Sequence, residues 1–243
     1  VNRPQVRNAF NWATMESFAD LVEDFHTQTN MRALIVTGIG KAFVSGGDLS
    51  ELQHFPLPEH GARLAQIMGD ALQRFEELPC PTIAAINGPA RGGGAEVAIA
   101  CDLRVIAEDA DIGFVHTRLG ITTAWGGGQR LLRTVGYARA LELLTTGRVL
   151  SASDAYELGI VTTIAPTENS LPTAYEIAQR IAANPAECVQ ATKRFLRVGL
   201  TTSEPAALAA ERAEFPALWD TDFRRQAVQK FLNKSTAHTN GKA

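Results

Sequence analysis

Glu96 follows three consecutive glycines in the segment Asn87-Gly88-Pro89-Ala90-Arg91-Gly92-Gly93-Gly94-Ala95-Glu96. The apolar run Thr82-Ile83-Ala84-Ala85-Ile86 precedes this segment, and the helix-forming stretch Ala95 to Ala100 continues it. A strand, a glycine turn and a helix start leave bare backbone N–H groups at the positive end of a helix. With a carboxylate in the first turn, an anion hole is paired with a candidate acid/base, a combination suited to reactions that develop an oxyanion. A second glycine turn, Ser45-Gly46-Gly47-Asp48, also comes after a strand-like run. N–H groups from two such turns, converging on one oxygen, would make an oxyanion hole, and glycine lets backbone approach a ligand closely. The plain alternative is two ordinary tight turns of an α/β fold, because isolated glycine patterns recur widely.

The elements that must position these turns read as an α/β core followed by helices. Apolar spacing at Phe10, Met15, Phe18, Leu21, Val22 and Phe25 predicts a helix over 8–25. Residues 32–37 read as a buried strand, and a polar loop with Pro56 and Pro58 leads to an amphipathic helix over 63–78. Strands follow at 82–86 and 102–107. Residues 117–125 are irregular, and Gly126-Gly127-Gly128 precedes a helix over 129–135. Helices at 138–145 and 152–158 and a short strand at 159–164 come next. Everything later reads as helix: 170–184, 186–199, 205–219 and 223–232. Early alternation and late helices predict an α/β core over 1–185 and a helical C-terminal region over 186–243.

Bulk properties exclude several function classes. The chain has 243 residues, 45% of them hydrophobic and 20% charged, as ordinary globular proteins do. A net charge of -3 and the lack of a basic run argue against nucleic acid. Cys80, Cys101 and Cys188 are widely spaced and form no zinc pattern, so free thiols are expected and no metal site. No apolar run approaches the roughly 18 residues of a membrane span. The opening Val1-Asn2-Arg3-Pro4 is not a signal peptide, so a cytoplasmic location is the expectation.

Residue detail goes further. Asn2-Arg3-Pro4 with Asn8-Ala9, Lys41 through Leu49, Asn87 through Glu96 ending at Cys101-Asp102, and Trp125-Gly126-Gly127-Gly128-Gln129-Arg130-Leu131 occur in order. So do Thr146-Gly147-Arg148 and Ala152-Ser153-Asp154-Ala155. Together these motifs resemble the crotonase, or enoyl-CoA hydratase/isomerase, family along nearly the whole chain. The resemblance implies a ClpP-like fold of repeated ββα units with a C-terminal helical region that builds homotrimers, often paired into hexamers. It implies an acyl-CoA substrate, no cofactor beyond the coenzyme A of that substrate, and oxyanion N–H groups on Gly47 and Gly93. The family usually has a strand before the Asn-Arg-Pro segment, and with Val1 as the first residue that strand is expected to be shortened or absent.

The resemblance also aligns Glu96 with one of the two glutamates of the hydratases. The second falls at His116, in Gly113-Phe114-Val115-His116-Thr117-Arg118-Leu119-Gly120. Two carboxylates suit the holding of one water, so this departure puts the standard hydratase arrangement in doubt. Phe114-Val115-His116 with Ala124-Trp125-Gly126-Gly127 resembles the ethylmalonyl-CoA decarboxylase branch, whose reaction also passes through a thioester enolate. Histidine suits either a leaving-carboxylate pocket or proton donation to the α-carbon, with Glu96 orienting it or delivering the proton. Ser45 and Leu49 are expected to line the coenzyme A channel. Trp125 would wall the acyl pocket or fill the core, and Phe231 would approach the adenine or simply pack. The expected function is thus an acyl-CoA lyase decarboxylating a short carboxyacyl-CoA. The alternatives are a diverged enoyl-CoA hydratase/isomerase and a non-catalytic acyl-CoA- or RNA-binding relative.

Overall fold

The computed structural model describes residues 1–239, and its contacts divide the chain into two units, Val1–Ile181 and Ala182–Ala243. In the first unit the strands are β1 (Leu34–Thr37), β2 (Thr82–Ile86), β3 (Ala90–Arg91), β4 (Leu103–Ala107), β5 (Asp111–Gly113), β6 (Val149–Ser151) and β7 (Thr163–Ala165). The helices are α1 (Trp12–Thr27), α2 (Leu49–Leu52), α3 (Pro58–Glu76), α4 (Gly93–Ala100), α5 (Gly127–Val135), α6 (Tyr137–Thr146), α7 (Ala152–Glu157) and α8 (Ser170–Ala182). The second unit holds α9 (Ala186–Gly199), α10 (Glu204–Trp219) and α11 (Asp222–Thr239).

A four-stranded parallel sheet runs in the order β1-β2-β4-β7, and a three-stranded sheet in the order β3-β5-β6. The parallel sheet is covered on both faces, as parallel sheets require. Ala84, Ile86 and Ile106 face the main core with Phe43, Phe75 and Phe114, while Ile83, Ala85 and Val105 face Ala174 and Ile177 of α8. This period of two is what sends alternate side chains to opposite layers.

Each long strand turns into a short partner in the second layer, and a helix follows. β2, β3 and α4 form one such ββα unit, and β4, β5 and α5 form the next. The first unit is β1, the isolated parallel bridge of Val44 to Ala90, and α3. The short strands were not expected from the sequence, since two or three residues carry no readable alternation. Pro58 does not sit in a loop but opens α3 at its first position, where a missing N–H costs nothing. The strand expected over 159–164 starts only at Thr163 and runs to Ala165, because Gly159 adopts φ +72 in a turn after α7. Among the described residues no helix is long and apolar enough to cross a membrane.

Candidate active site

The two glycine turns are neighbours because of strand register. Val44 pairs with Ala90 in parallel, and the Arg91 N–H donates to the Val44 carbonyl at 3.0 Å. Beyond that bridge the first turn lies against the start of α4. A Cβ placed on Gly46 would lie 3.3 Å from the Gly93 nitrogen, which measures how closely the turns approach. Gly46 at φ +96 and Gly92 at φ +53 take backbone conformations that glycine alone enters freely.

Both donors are left free by local geometry. The bridge to Phe10 uses the Gly46 carbonyl and the Asp48 N–H, so the intervening Gly47 N–H points the other way. Gly93 is the first residue of α4, where an N–H has no acceptor within the helix. Among the described residues neither N–H donates to a protein acceptor. A pair of N–H groups so placed is an oxyanion site in form.

Glu96 projects from the first turn of α4, a helix whose eight residues are all buried. Its Oε2 accepts from the Trp125 N–H at 2.9 Å and the Gly127 N–H at 2.7 Å. Its Oε1 lies 2.9 Å from His116 Nε2. A buried carboxylate is tolerated only when its lone pairs are met, and three donors meet them here. Gly127 must be glycine for this approach, since a Cβ would fall 2.4 Å from Glu96 Cγ.

His116 opens a short 3-10 turn, His116–Leu119, just beyond β5. β5 pairs with β3, and the Gly92 N–H donates to the Gly113 carbonyl at 2.9 Å, so successive ββα units hand their residues to one place. The contact to the Glu96 carboxylate makes Nε2 the protonated nitrogen. Nδ1 is buried and has no hydrogen-bond partner among the described residues.

The structure thus brings Gly47, Gly93, Glu96 and His116 together. Trp125 joins them from behind: its ring packs on Gly93, where a Cβ would meet the indole at 2.3 Å, and stands 6.1 Å from the Phe10 ring. Ser45 and Leu49 flank the first turn. The Ser45 N–H donates to the Arg7 carbonyl at 3.2 Å, and Leu49 begins α2 with its side chain exposed. Phe231 lies on α11 in the second unit, its ring exposed.

Three supporting pieces are not evident from the sequence. Arg3 reaches Asp48 at 3.1 Å and braces the first turn. The Trp125 and Gly127 N–H groups hold Glu96. Arg130 then binds the Trp125 carbonyl at 2.6 Å and Glu76 at 2.7 Å. The glycines before Gln129-Arg130 were a usable signal for the last two, since glycine beside a helix start often admits a close polar neighbour. Among the described residues no group of three or more His, Cys, Asp and Glu side chains is arranged to hold a metal ion.

The sequence profile of the enoyl-CoA hydratase/isomerase family matches residues 1–242. A short-chain-enoyl-CoA hydratase of Clostridium acetobutylicum is 34% identical, the alignment covering 96% of this chain and 90% of the relative. An ethylmalonyl-CoA decarboxylase of Rattus norvegicus is 32% identical, over 95% of this chain and 78% of the relative. The crystal structure of an enoyl-CoA hydratase from Bacillus anthracis superposes with a TM-score of 0.90 at 35% identity, covering 96% of this chain and 90% of that one.

Proposed function

This chain belongs to the enoyl-CoA hydratase/isomerase family, and on that premise we propose that it decarboxylates a short carboxyacyl-CoA through a thioester enolate. The observation that carries the reading is the direct 2.9 Å contact between Glu96 and His116. Two acid/base groups that touch each other act as one unit. Glu96 holds the imidazole in the tautomer with its proton on Nε2, as the carboxylate of a Ser-His-Asp triad orients its histidine. The pair together takes up and releases the working proton.

The C–C bond to the α-carboxylate breaks, carbon dioxide leaves, and the electron pair moves into the thioester carbonyl. The resulting enolate oxygen is held by the Gly47 and Gly93 N–H groups, each worth roughly 3–4 kcal/mol of barrier in comparable sites. The Glu96–His116 pair gives a proton to the α-carbon, and solvent restores it. The chemistry asks for no cofactor beyond the coenzyme A of the substrate. A homotrimer or hexamer in the cytoplasm is the accompanying expectation, checked by light scattering and by fractionation.

A second reading has its own support, the 34% identity to a relative named as a short-chain-enoyl-CoA hydratase. In it, the Glu96–His116 pair takes a proton from water, hydroxide adds to the β-carbon, and the pair returns a proton to the α-carbon. The discriminating assay follows ethylmalonyl-CoA, methylmalonyl-CoA and crotonyl-CoA in parallel. Carbon dioxide release from a malonyl-type thioester supports decarboxylation. Hydration of crotonyl-CoA with no carbon dioxide from either malonyl-type thioester overturns it.

A further inference from the structure

Behind the Glu96–His116 pair lies a buried ionic chain that touches neither oxyanion donor. Glu76, the last residue of α3, accepts from Arg130 Nη2 at 2.7 Å. Arg130 Nη1 donates to the Trp125 carbonyl at 2.6 Å. Both side chains are mostly buried, with 7% and 14% of their surface exposed. Gly126, at φ +88, leaves space for the guanidinium, since a Cβ there would sit 2.4 Å from Nη1. The peptide turn from Trp125 to Gly127 is therefore clamped on two sides. Its N–H groups hold Glu96 Oε2, and its carbonyl is held by Arg130.

We propose that Arg130, backed by Glu76, is a positioning residue that sets the tautomer of His116 by holding the Trp125–Gly127 turn against Glu96. The inference rests on the Glu96–His116 pairing described above. Without the guanidinium the Trp125 carbonyl would be buried and unpaired, a costly state, and the turn would rotate to find a donor. Rotation would withdraw the N–H groups from Oε2, and the carboxylate would no longer be aimed at His116 Nε2. A mere tie between α3 and α5 would need only the Glu76 contact, not the second branch of the guanidinium on the turn.

The test reads the imidazole itself. The full chain is labelled with 15N-histidine, His116 is assigned with His116→Gln, and long-range proton–nitrogen correlation at neutral pH reports which nitrogen carries the proton. In the unaltered protein His116 is expected to show a protonated Nε2 and a bare Nδ1. Arg130→Met is expected to abolish that single-tautomer pattern, and Glu76→Gln to weaken it in the same direction. Arg130→Lys, which keeps one donor for the Trp125 carbonyl, should restore part of it. Arg148→Gln, which breaks only the exposed pair with Glu142, should leave it unchanged. If Arg130→Met fails to fold, Glu76→Gln carries the test alone. Folded Arg130→Met or Glu76→Gln protein with an unaltered His116 pattern overturns the positioning role. Absence of a protonated Nε2 in the unaltered protein overturns the Glu96–His116 pairing as well, so the two failures are told apart.

Discussion

The turn at Gly46–Gly47 and the turn at Gly92–Gly94 offer the same chemical group, a backbone N–H, but are held in opposite ways. The first is braced from outside. Arg3 meets Asp48, Phe10 bridges the backbone, and a Cβ on Gly47 would touch only the end of the Leu52 side chain at 2.7 Å. The second is held from within. Gly93 carries the Trp125 ring, and a Cβ on Gly94 would fall 1.8 Å from the Val44 carbonyl oxygen. A backbone N–H therefore asks for glycine in one turn because neighbours are rigid. In the other it asks only for backbone in the right place.

That contrast can be broken at four positions, taken from the largest effect down. Gly94→Ala has no compliant neighbour, because the obstacle is backbone of the adjoining ββα unit. Destabilisation of about 3 kcal/mol or more is expected, read as a melting temperature lower by roughly 6–12 °C or as loss of soluble protein. Glu96→Ala removes the acceptor of two buried N–H groups and the partner of His116. A fall in kcat of about 10²–10⁴ is expected, with a measurable drop in melting temperature from the unpaired donors.

Gly93→Ala keeps the N–H but pushes against the indole. About 1–3 kcal/mol of stability should be lost, and turnover should fall by up to roughly 10² as the donor shifts. Pairing it with Trp125→Leu should recover part of the stability, and failure to recover would show that the indole is not the obstacle. Gly47→Ala should be the mildest, below about 1 kcal/mol in a thermal melt and within a few-fold in kcat. If Gly47→Ala proved as damaging as Gly93→Ala, the distinction between an externally and an internally held turn would be lost.

Much of this site can be read along the chain. Strand-glycine-helix order around Glu96 follows from an apolar run, three glycines and a helix-forming stretch, and the structure has that order. The helices α1, α3 and α5 fall where periodicity places them, with ends shifted by caps such as Asn11, whose side chain accepts from the Thr14 N–H. The short strands β3, β5 and β6 were not legible, since two or three residues cannot display a period. With them went the reason that the two glycine turns lie side by side. That Glu96 and His116 would work together was read from the resemblance, but not the contact itself. The residues lie on different elements, and only the fold brings them to 2.9 Å. Nothing along the chain pairs Arg130 with Glu76, and only the fold brings their side chains to 2.7 Å.

By itself the sequence determined the local parts: the glycine turns, the carboxylate beside one of them, the α/β core and the helices that follow. These depend on apolar spacing and on backbone freedom within a few residues. Tertiary structure decided the rest. Parallel pairing of Val44 with Ala90, and of β3 with β5, sets which N–H faces which and which nitrogen faces the carboxylate. Those relations are distances between segments far apart in the chain, and they exist only once the ββα units have stacked.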